Sequence, residues 1–319
     1  MRIGFIDAVH PILAERLSVA GHICVDLSTV DAAGLHDGLK DIEGIVVRGR
    51  VFLDATLLDG APHMRFIARA GAGMENIDRA YCEKRGIRLY NSPEGNRDAV
   101  GEQAIGMLLG LMNNLFRADR EVRQGHWRRA ENSGRELHGS TVGIIGFGQM
   151  GSAFAEKLQG FGVTILAYDK YRQGHTPSYV EEVTLEELFQ RSDVISLHLP
   201  LNEETMQWAD AAFFARPARP IWFINTARGP IVDTAALLDA IDAGRVLGAC
   251  LDVLEFEERS LLALRTDESA RAILERLYAC EQVVLAPHIA GVTEEARFKM
   301  ANILADKILQ DIADDRLPA

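Results

Sequence analysis

Short apolar runs rich in Val and Ile alternate along this chain with longer segments of helical period: RIGFID, GIVVR, RFIARA and IRLY, then TVGIIG, VTILAYD, DVISLHL, IWFIN, VLGACLDV and VVLAP. Runs of about four to eight residues bounded by Gly, Asp or Asn are better read as central strands than as buried helix fragments. Strands that alternate with helices form parallel sheets, because each crossover returns over one face of the sheet. The expected class is therefore α/β, built from doubly wound parallel sheets. A chain of 319 residues is about twice the usual domain, so two compact units are expected. No repeat, low-complexity tract or polyproline linker separates them, which places the junction in ordered structure, as a hinge.

A formal charge of −12 would repel a phosphate backbone, and the basic residues form no tract with interleaved aromatics, so nucleic acid is not an expected partner. Cys24, Cys82, Cys250 and Cys280 are widely separated and suggest neither a disulfide framework nor a metal site, which fits a reducing cytoplasm. No segment approaches the roughly 18 apolar residues of a membrane span. The N-terminal MRIGFIDAVH is expected to be a first strand, with no leader. G-x-S-x-G, H-E-x-x-H and G-x-x-x-x-G-K-[ST] are all missing, leaving hydrolase and kinase chemistry without support.

The longest helical pattern begins near Asp98 and continues through AVGEQAIGMLLGLMNNLFRADREVRQ, with apolar residues recurring at three and four. Its length suits a connector between two domains. GHWRRAENSGRELHG then follows at 125–139, rich in Arg and Gly with little periodicity, and is expected to be an exposed arm.

TVGIIGFGQMGSAFAEKLQGFGVTILAYDK carries G-x-G-x-x-G at Gly146, Gly148 and Gly151, directly after an apolar run and opening into an amphipathic helix. In that setting the first glycine makes a tight turn, the second lets the backbone approach a pyrophosphate, and the third lets helix and strand pack closely. The helix N-terminus then faces the negative phosphates. The next strand ends in Asp169, whose carboxylate can accept from both hydroxyls of an adenosine ribose and would repel a 2′-phosphate. Lys170 and Arg172 follow it and weaken that discrimination without reversing it. These features imply NAD as the cofactor.

Three later strand ends carry functional groups: Arg228 in INTARGPIVD, Glu257 in CLDVLEFEE and His288 in VVLAPHIAGVT. Arg228 offers a planar fork suited to a carboxylate and an adjacent carbonyl. His288 is the natural proton donor and acceptor, since an imidazole titrates near neutrality. Glu257 would fix its tautomer. Taken singly each is weak, and Pro62-His63 repeats the Pro-His pair elsewhere.

Their order and wording resemble one family. The dinucleotide fingerprint, then N-T-x-R-G, then L-D-V-x-x-x-E, then P-H-x-x-G is the pattern of the D-isomer-specific 2-hydroxyacid dehydrogenases, and Arg228, Glu257 and His288 match that family's catalytic arginine, glutamate and histidine. The resemblance extends to ARAGAGMENID, similar to the substrate-carboxylate loop, and to NSPEGNRDAVGEQ, similar to the hinge motif. Successive small residues Ala70, Gly71, Ala72 and Gly73 can turn backbone N–H groups towards one anion. Asn96 and Glu102 match cleft residues. Arg48 and Arg50 in VVRGR are similar to cations that phosphoglycerate dehydrogenases hold near the substrate phosphate, and Arg129 on the arm would join from a partner subunit. In one departure, Glu258 and Arg259 replace the proline that often follows the family's glutamate.

What the resemblance implies is an NAD-dependent oxidoreductase, acting between nicotinamide and C2 of a small D-2-hydroxy or 2-keto acid such as 3-phosphoglycerate. Further cofactor contacts are implied at Gln149, Met150, Pro200, Thr205, Thr226 and Asp252. A Rossmann domain over 99–287 would be inserted in a flavodoxin-like substrate domain made of 1–98 and 288–319. A homodimer through the helix from Asp98 and its arm is expected, and the short stretch after His288 leaves no serine-sensing extension. Alternatives are a glyoxylate or hydroxypyruvate reductase, and an NAD-sensing, corepressor-like member without metabolic turnover.

Overall fold

A computed structural model describes residues 1–258, 263–265 and 267–317. Backbone contacts divide them into two units, one holding Met1–Arg97 and the described residues from Gly291 onward, the other Asp98–Glu258 and Ala263–Ala290.

The first unit contains β1 (Arg2–Phe5), β2 (Ile23–Asp26), β3 (Gly44–Val47), β4 (Phe66–Arg69) and β5 (Arg88–Asn91), all parallel, in the order β2-β1-β3-β4-β5. This is the flavodoxin-like arrangement of a doubly wound sheet. Side chains alternate along a strand, so β3 feeds two cores. Ile45 and Val47 pack with Ile6, Leu35 and Leu58 on one face, whereas Val46 packs with Leu13, Leu17, Leu304 and Ile308 on the other. Those last two residues belong to helix Glu294–Ala313, capped by Thr293 Oγ1 on Ala296 N–H at 3.0 Å, so the C-terminal helix covers the sheet begun at residue 2.

The second unit holds β6 (Thr141–Ile145), β7 (Thr164–Tyr168), β8 (Glu181–Glu182), β9 (Val194–Leu197), β10 (Ile221–Asn225), β11 (Val246–Leu251) and β12 (Val283–Leu285). Its parallel sheet runs β12-β11-β10-β9-β6-β7-β8, the Rossmann order with one added strand, and it reverses direction between β6 and β9. One face buries Ile195, Leu197 and Phe223 against Leu188, Phe213 and Leu237. The other buries Val142, Ile144 and Ile224 against Leu108 and Phe154. Each such side chain contributes about 1.5–3 kcal/mol of burial.

All ten expected strands are present among the described residues, and two more appear there. β2 and β8 are edge strands with exposed or half-buried residues, so neither needs the apolar run that marks a central strand. The long helix differs more. It starts at Pro93, a residue suited to a first turn, and stops at Met112; a second helix spans Leu115–Arg123. The break falls at Asn113 and Asn114, the latter left-handed at φ 54°, a conformation Asn tolerates and most residues avoid. The arm at 125–139 has neither helix nor strand and is largely exposed, as expected, although Leu137 is buried.

Division into units falls one residue before the expected first boundary and three after the expected second. The later edge has a visible cause. His288 N–H donates to Asp252 O at 2.7 Å, and the Asp252 carboxylate accepts from Ile289 and Ala290 N–H at 2.9 and 3.0 Å, tying all three residues to β11. His288 therefore stands in the same unit as Arg228 and Glu257. Arg259 lies outside the described residues.

Candidate active site

In an open parallel sheet the crevice for a ligand forms where strand order reverses, here between the C-terminal ends of β6 and β9. The chain leaving β6 turns at Gly146 with φ +92°, and a Cβ there would stand 2.5 Å from the His198 carbonyl oxygen just beyond β9. A Cβ on Gly151 would meet the Gly146 oxygen at 2.1 Å, so only glycine lets helix Gln149–Leu158 approach its strand. At Gly148 the same test meets open space, and this N-cap residue supplies no side-chain bond to the first-turn N–H groups. Gln149 is exposed and Met150 half-buried on that first turn. Open, uncapped amides at a helix N-terminus suit a pyrophosphate.

Asp169 closes the turn from the side. Its Oδ2 accepts Phe147 N–H at 2.9 Å, and Oδ1 accepts Tyr171 and Arg172 N–H at 3.0 and 3.1 Å. Burial works against its charge, but three amide donors outweigh it and hold the carboxyl below the usual carboxylate range. The carboxylate is thus ionised and fixed beside the glycine turn. His175, which sequence reasoning missed, grips the same residue from its other side: Nε2 donates to Phe147 O at 3.2 Å. No spacing rule marks it, because the loop that carries it has no periodicity.

Beyond β9, Thr205 Oγ1 donates to Pro200 O at 2.7 Å and accepts Asn202 N–H at 2.9 Å, giving the Pro200–Thr205 loop a defined shape. At the end of β10 the Thr226 hydroxyl is buried without a hydrogen-bond partner among the described residues, a donor and acceptor that a polar ligand group would satisfy. Asp252 is buried, and burial raises its carboxyl despite the two amides it accepts. Its position sets the turn that carries His288.

His288 itself has a left-handed backbone, φ 55°, unusual for a non-glycine residue and frequent at functional sites. Its Nδ1 bonds Glu257 Oε2 at 2.8 Å, while Glu257 Oε1 accepts Leu254 N–H at 2.7 Å. With Nδ1–H given to the carboxylate, proton exchange falls to Nε2. Arg228 is half-buried, and its Nη1 donates to Ala227 O at 2.6 Å. Asn225 holds the loop by accepting Ala227 N–H and donating to Arg228 O, both at 3.0 Å. A Cβ on Gly229 would stand 1.8 Å from Leu254 O, so the Arg228 loop presses against the segment that positions Glu257. One sheet edge therefore presents a glycine turn, a fixed ribose-type carboxylate, an orphan hydroxyl, a guanidinium and an acid-backed imidazole. The donor set fits NAD.

The first unit's candidates are described by themselves. Asp7 Oδ2 accepts Arg48 and Gly49 N–H, shaping the loop after β3. Arg50, expected to be a phosphate ligand, is committed elsewhere. Its guanidinium donates to Ile6 O and Val30 O, each at 2.8 Å, and lies 3.5 Å from Asp7 Oδ1. Arg48 is half-buried, with no side-chain partner among the described residues. The expected nest also narrows. Ala70 N–H donates to Val47 O and Gly71 N–H to Arg69 O, leaving the Ala72 and Gly73 amides without a partner among the described residues. Nearby, Ser92 N–H donates to Gly71 O and Asn91 Nδ2 to Ala72 O. Ser92 Oγ and Asn96 Oδ1 are buried polar atoms without partners there.

Comparison with known proteins agrees with this chemistry. The family model described as "D-isomer specific 2-hydroxyacid dehydrogenase, NAD binding domain" matches residues 105–290. Hydroxypyruvate reductase of Thermotoga maritima is 34% identical over 274 residues, covering 86% of each chain. D-3-phosphoglycerate dehydrogenase of Mycobacterium tuberculosis is 33% identical over 282 residues, covering 88% of this chain and 51% of its own length. Among solved structures, D-lactate dehydrogenase from Aquifex aeolicus, complexed with NAD and lactic acid, superposes with a TM-score of 0.82 at 29% identity, covering 99% of this chain and 96% of that one. The chain belongs to the D-isomer-specific 2-hydroxyacid dehydrogenases and is an NAD-dependent oxidoreductase.

Proposed function

We propose that this enzyme reduces a short 2-keto acid at C2, reversibly, with His288 as acid and base. The observation that carries the reading is the 2.8 Å bond from His288 Nδ1 to Glu257, which leaves Nε2 to exchange a proton. Bound NAD supplies the hydride acceptor and, reduced, the hydride donor. In reduction His288 Nε2 gives its proton to the carbonyl oxygen, and Glu257 stabilises the imidazolium present before that transfer. Arg228 offsets negative charge on the substrate's carboxylate and developing alkoxide. The adenosine half is assigned to Asp169, the phosphates to Gly146, Gly148, Gln149, Met150 and Gly151, and the remaining cofactor contacts to Pro200, Thr205, Thr226 and Asp252. In this reading the second unit binds NAD and the first binds substrate.

The substrate class we favour is unphosphorylated, such as hydroxypyruvate or glyoxylate, which name two relatives. Arg50 is committed to Asp7 and backbone carbonyls, so Arg48 alone remains of the two expected phosphate ligands. Ala72 and Gly73 amides with Asn96 are proposed for the carboxylate, with Ala70 and Gly71 shaping the turn. 3-Phosphoglycerate is the second reading, favoured by Arg48 and by relatives of that name. Steady-state assays with NADH and glyoxylate, hydroxypyruvate, pyruvate and phosphohydroxypyruvate test this: the largest kcat/KM is expected for one of the first two. Preference for the phosphorylated acid would reverse the order, and no turnover on any would favour an NAD-sensing protein.

We also propose a homodimer through helix Leu115–Arg123 and the arm, because Leu115, Phe116, Val122 and Trp127 are all at least half exposed there. Four free cysteines suit a cytoplasmic location. No helix among the described residues is long and apolar enough to cross a membrane.

A further inference from the structure

Side chains with no part in hydride transfer join the two loops that border the glycine turn. β7 and β9 flank β6, so the segments after Tyr168 and Leu197 stand on either side of it. Lys170, next to Asp169, places Nζ 2.7 Å from Glu204 Oε2, and the Tyr171 hydroxyl donates to the same oxygen. The Lys170 ammonium also lies 5.3 Å from the centre of the Tyr171 ring. Glu204 is held on a shaped loop, since its N–H and that of Thr205 both donate to Asn202 Oδ1, at 2.9 and 3.0 Å. Both Lys170 and Glu204 side chains are 56% exposed, so the pair adds little to stability. Its consequence lies in the charge it leaves beside Asp169.

We propose that Glu204 is a specificity-determining residue for the cofactor: it occupies the Lys170 ammonium and the Tyr171 hydroxyl, which would otherwise bind a 2′-phosphate, and adds a second negative charge near Asp169. The inference rests on the reading of Asp169 as the ribose carboxylate. Arg172 has a side chain without partners among the described residues, so the four groups Asp169, Lys170, Arg172 and Glu204 sum to zero charge. Neutralising Glu204 makes the cluster cationic and frees the lysine, and both changes favour NADP. The sequence placed Lys170 among groups able to accommodate NADP; the ion pair removes it from that role.

The test measures kcat/KM with NADH and NADPH, and NADP dissociation constants by fluorescence titration, for wild type, Glu204→Gln, Glu204→Gln with Lys170→Met, and Asp169→Ala. Glu204→Gln is expected to raise the NADPH to NADH preference and to tighten NADP, each about three- to tenfold. The gain should disappear when Lys170→Met is added and should shrink in about 0.3 M salt. A preference within about twofold of wild type in Glu204→Gln, or a gain that survives Lys170→Met, overturns the proposal. Asp169→Ala separates the two failures: if it leaves the preference unchanged, the ribose assignment falls, whereas a shift there without one in Glu204→Gln removes only the role of Glu204.

Discussion

At the scale of single residues, His288 does two jobs that its neighbours keep apart. Its backbone N–H is tied to Asp252 O and its Nδ1 to Glu257, so one ring nitrogen is left for the proposed proton exchange. His288→Gln keeps the volume and a hydrogen bond to Glu257 but cannot exchange a proton. It should lower kcat about 10²- to 10⁴-fold, while NADH affinity by fluorescence titration stays within about twofold because the glycine turn and Asp169 are untouched. Turnover at the wild-type rate would remove His288 from the mechanism. Arg48 and Arg50 show the limit of reading residues one at a time. Two cations two positions apart look equivalent in a sequence, yet one is consumed by carbonyl oxygens and the other is not.

Among the elements, the strand, turn and helix from Thr141 to Leu158 have the firmest basis, since hydrophobic period and glycine spacing agree. The neighbouring segment after β9 holds a group that no pattern marks. His198 bonds Ser196 Oγ through Nε2 at 2.8 Å, its Nδ1 has no partner among the described residues, and burial pushes its pKa from 6.5 down to about 3. The unfolded chain takes up this proton as pH falls below 6.5 while the folded one does not. The stability His198 contributes is therefore complete above 6.5 and is lost progressively towards pH 3. By pH 5 the loss should reach up to about 2 kcal/mol. Urea midpoints at pH 7 and 5 should differ less in His198→Gln than in wild type; equal differences would show that the ring does not resist protonation. The break at Asn113 and Asn114 escaped detection for a related reason, because apolar spacing continues across it while the backbone does not.

For the whole molecule, the second sheet is contiguous from Thr141 to Leu285 whereas the first is completed by a helix that starts just over two hundred residues beyond its last strand. Such long-range closure suits two cores that each bury both faces of a sheet. Helix Leu115–Arg123, in the second unit, has no buried residue of its own. If that face pairs with a second copy, sedimentation at micromolar concentration should give a dimer. Phe116→Glu or Trp127→Glu should weaken it by more than tenfold, about 2 kcal/mol for a buried aromatic anchor. A monomeric wild type would refute the proposed homodimer.

Alternation of apolar runs, glycine spacing and the order of Arg228, Glu257 and His288 carried the fold class, the cofactor and the chemistry, because each depends on local periodicity or on residue types that few other jobs require. The position of the second boundary, the helix break, the commitment of Arg50, the narrowing of the Ala70–Gly73 turn and the capture of Lys170 by Glu204 were settled only by the folded chain. The boundary, Arg50 and Lys170 depend on which donor meets which acceptor across tens of residues, and the helix break on the backbone angle at Asn114; a linear pattern encodes neither.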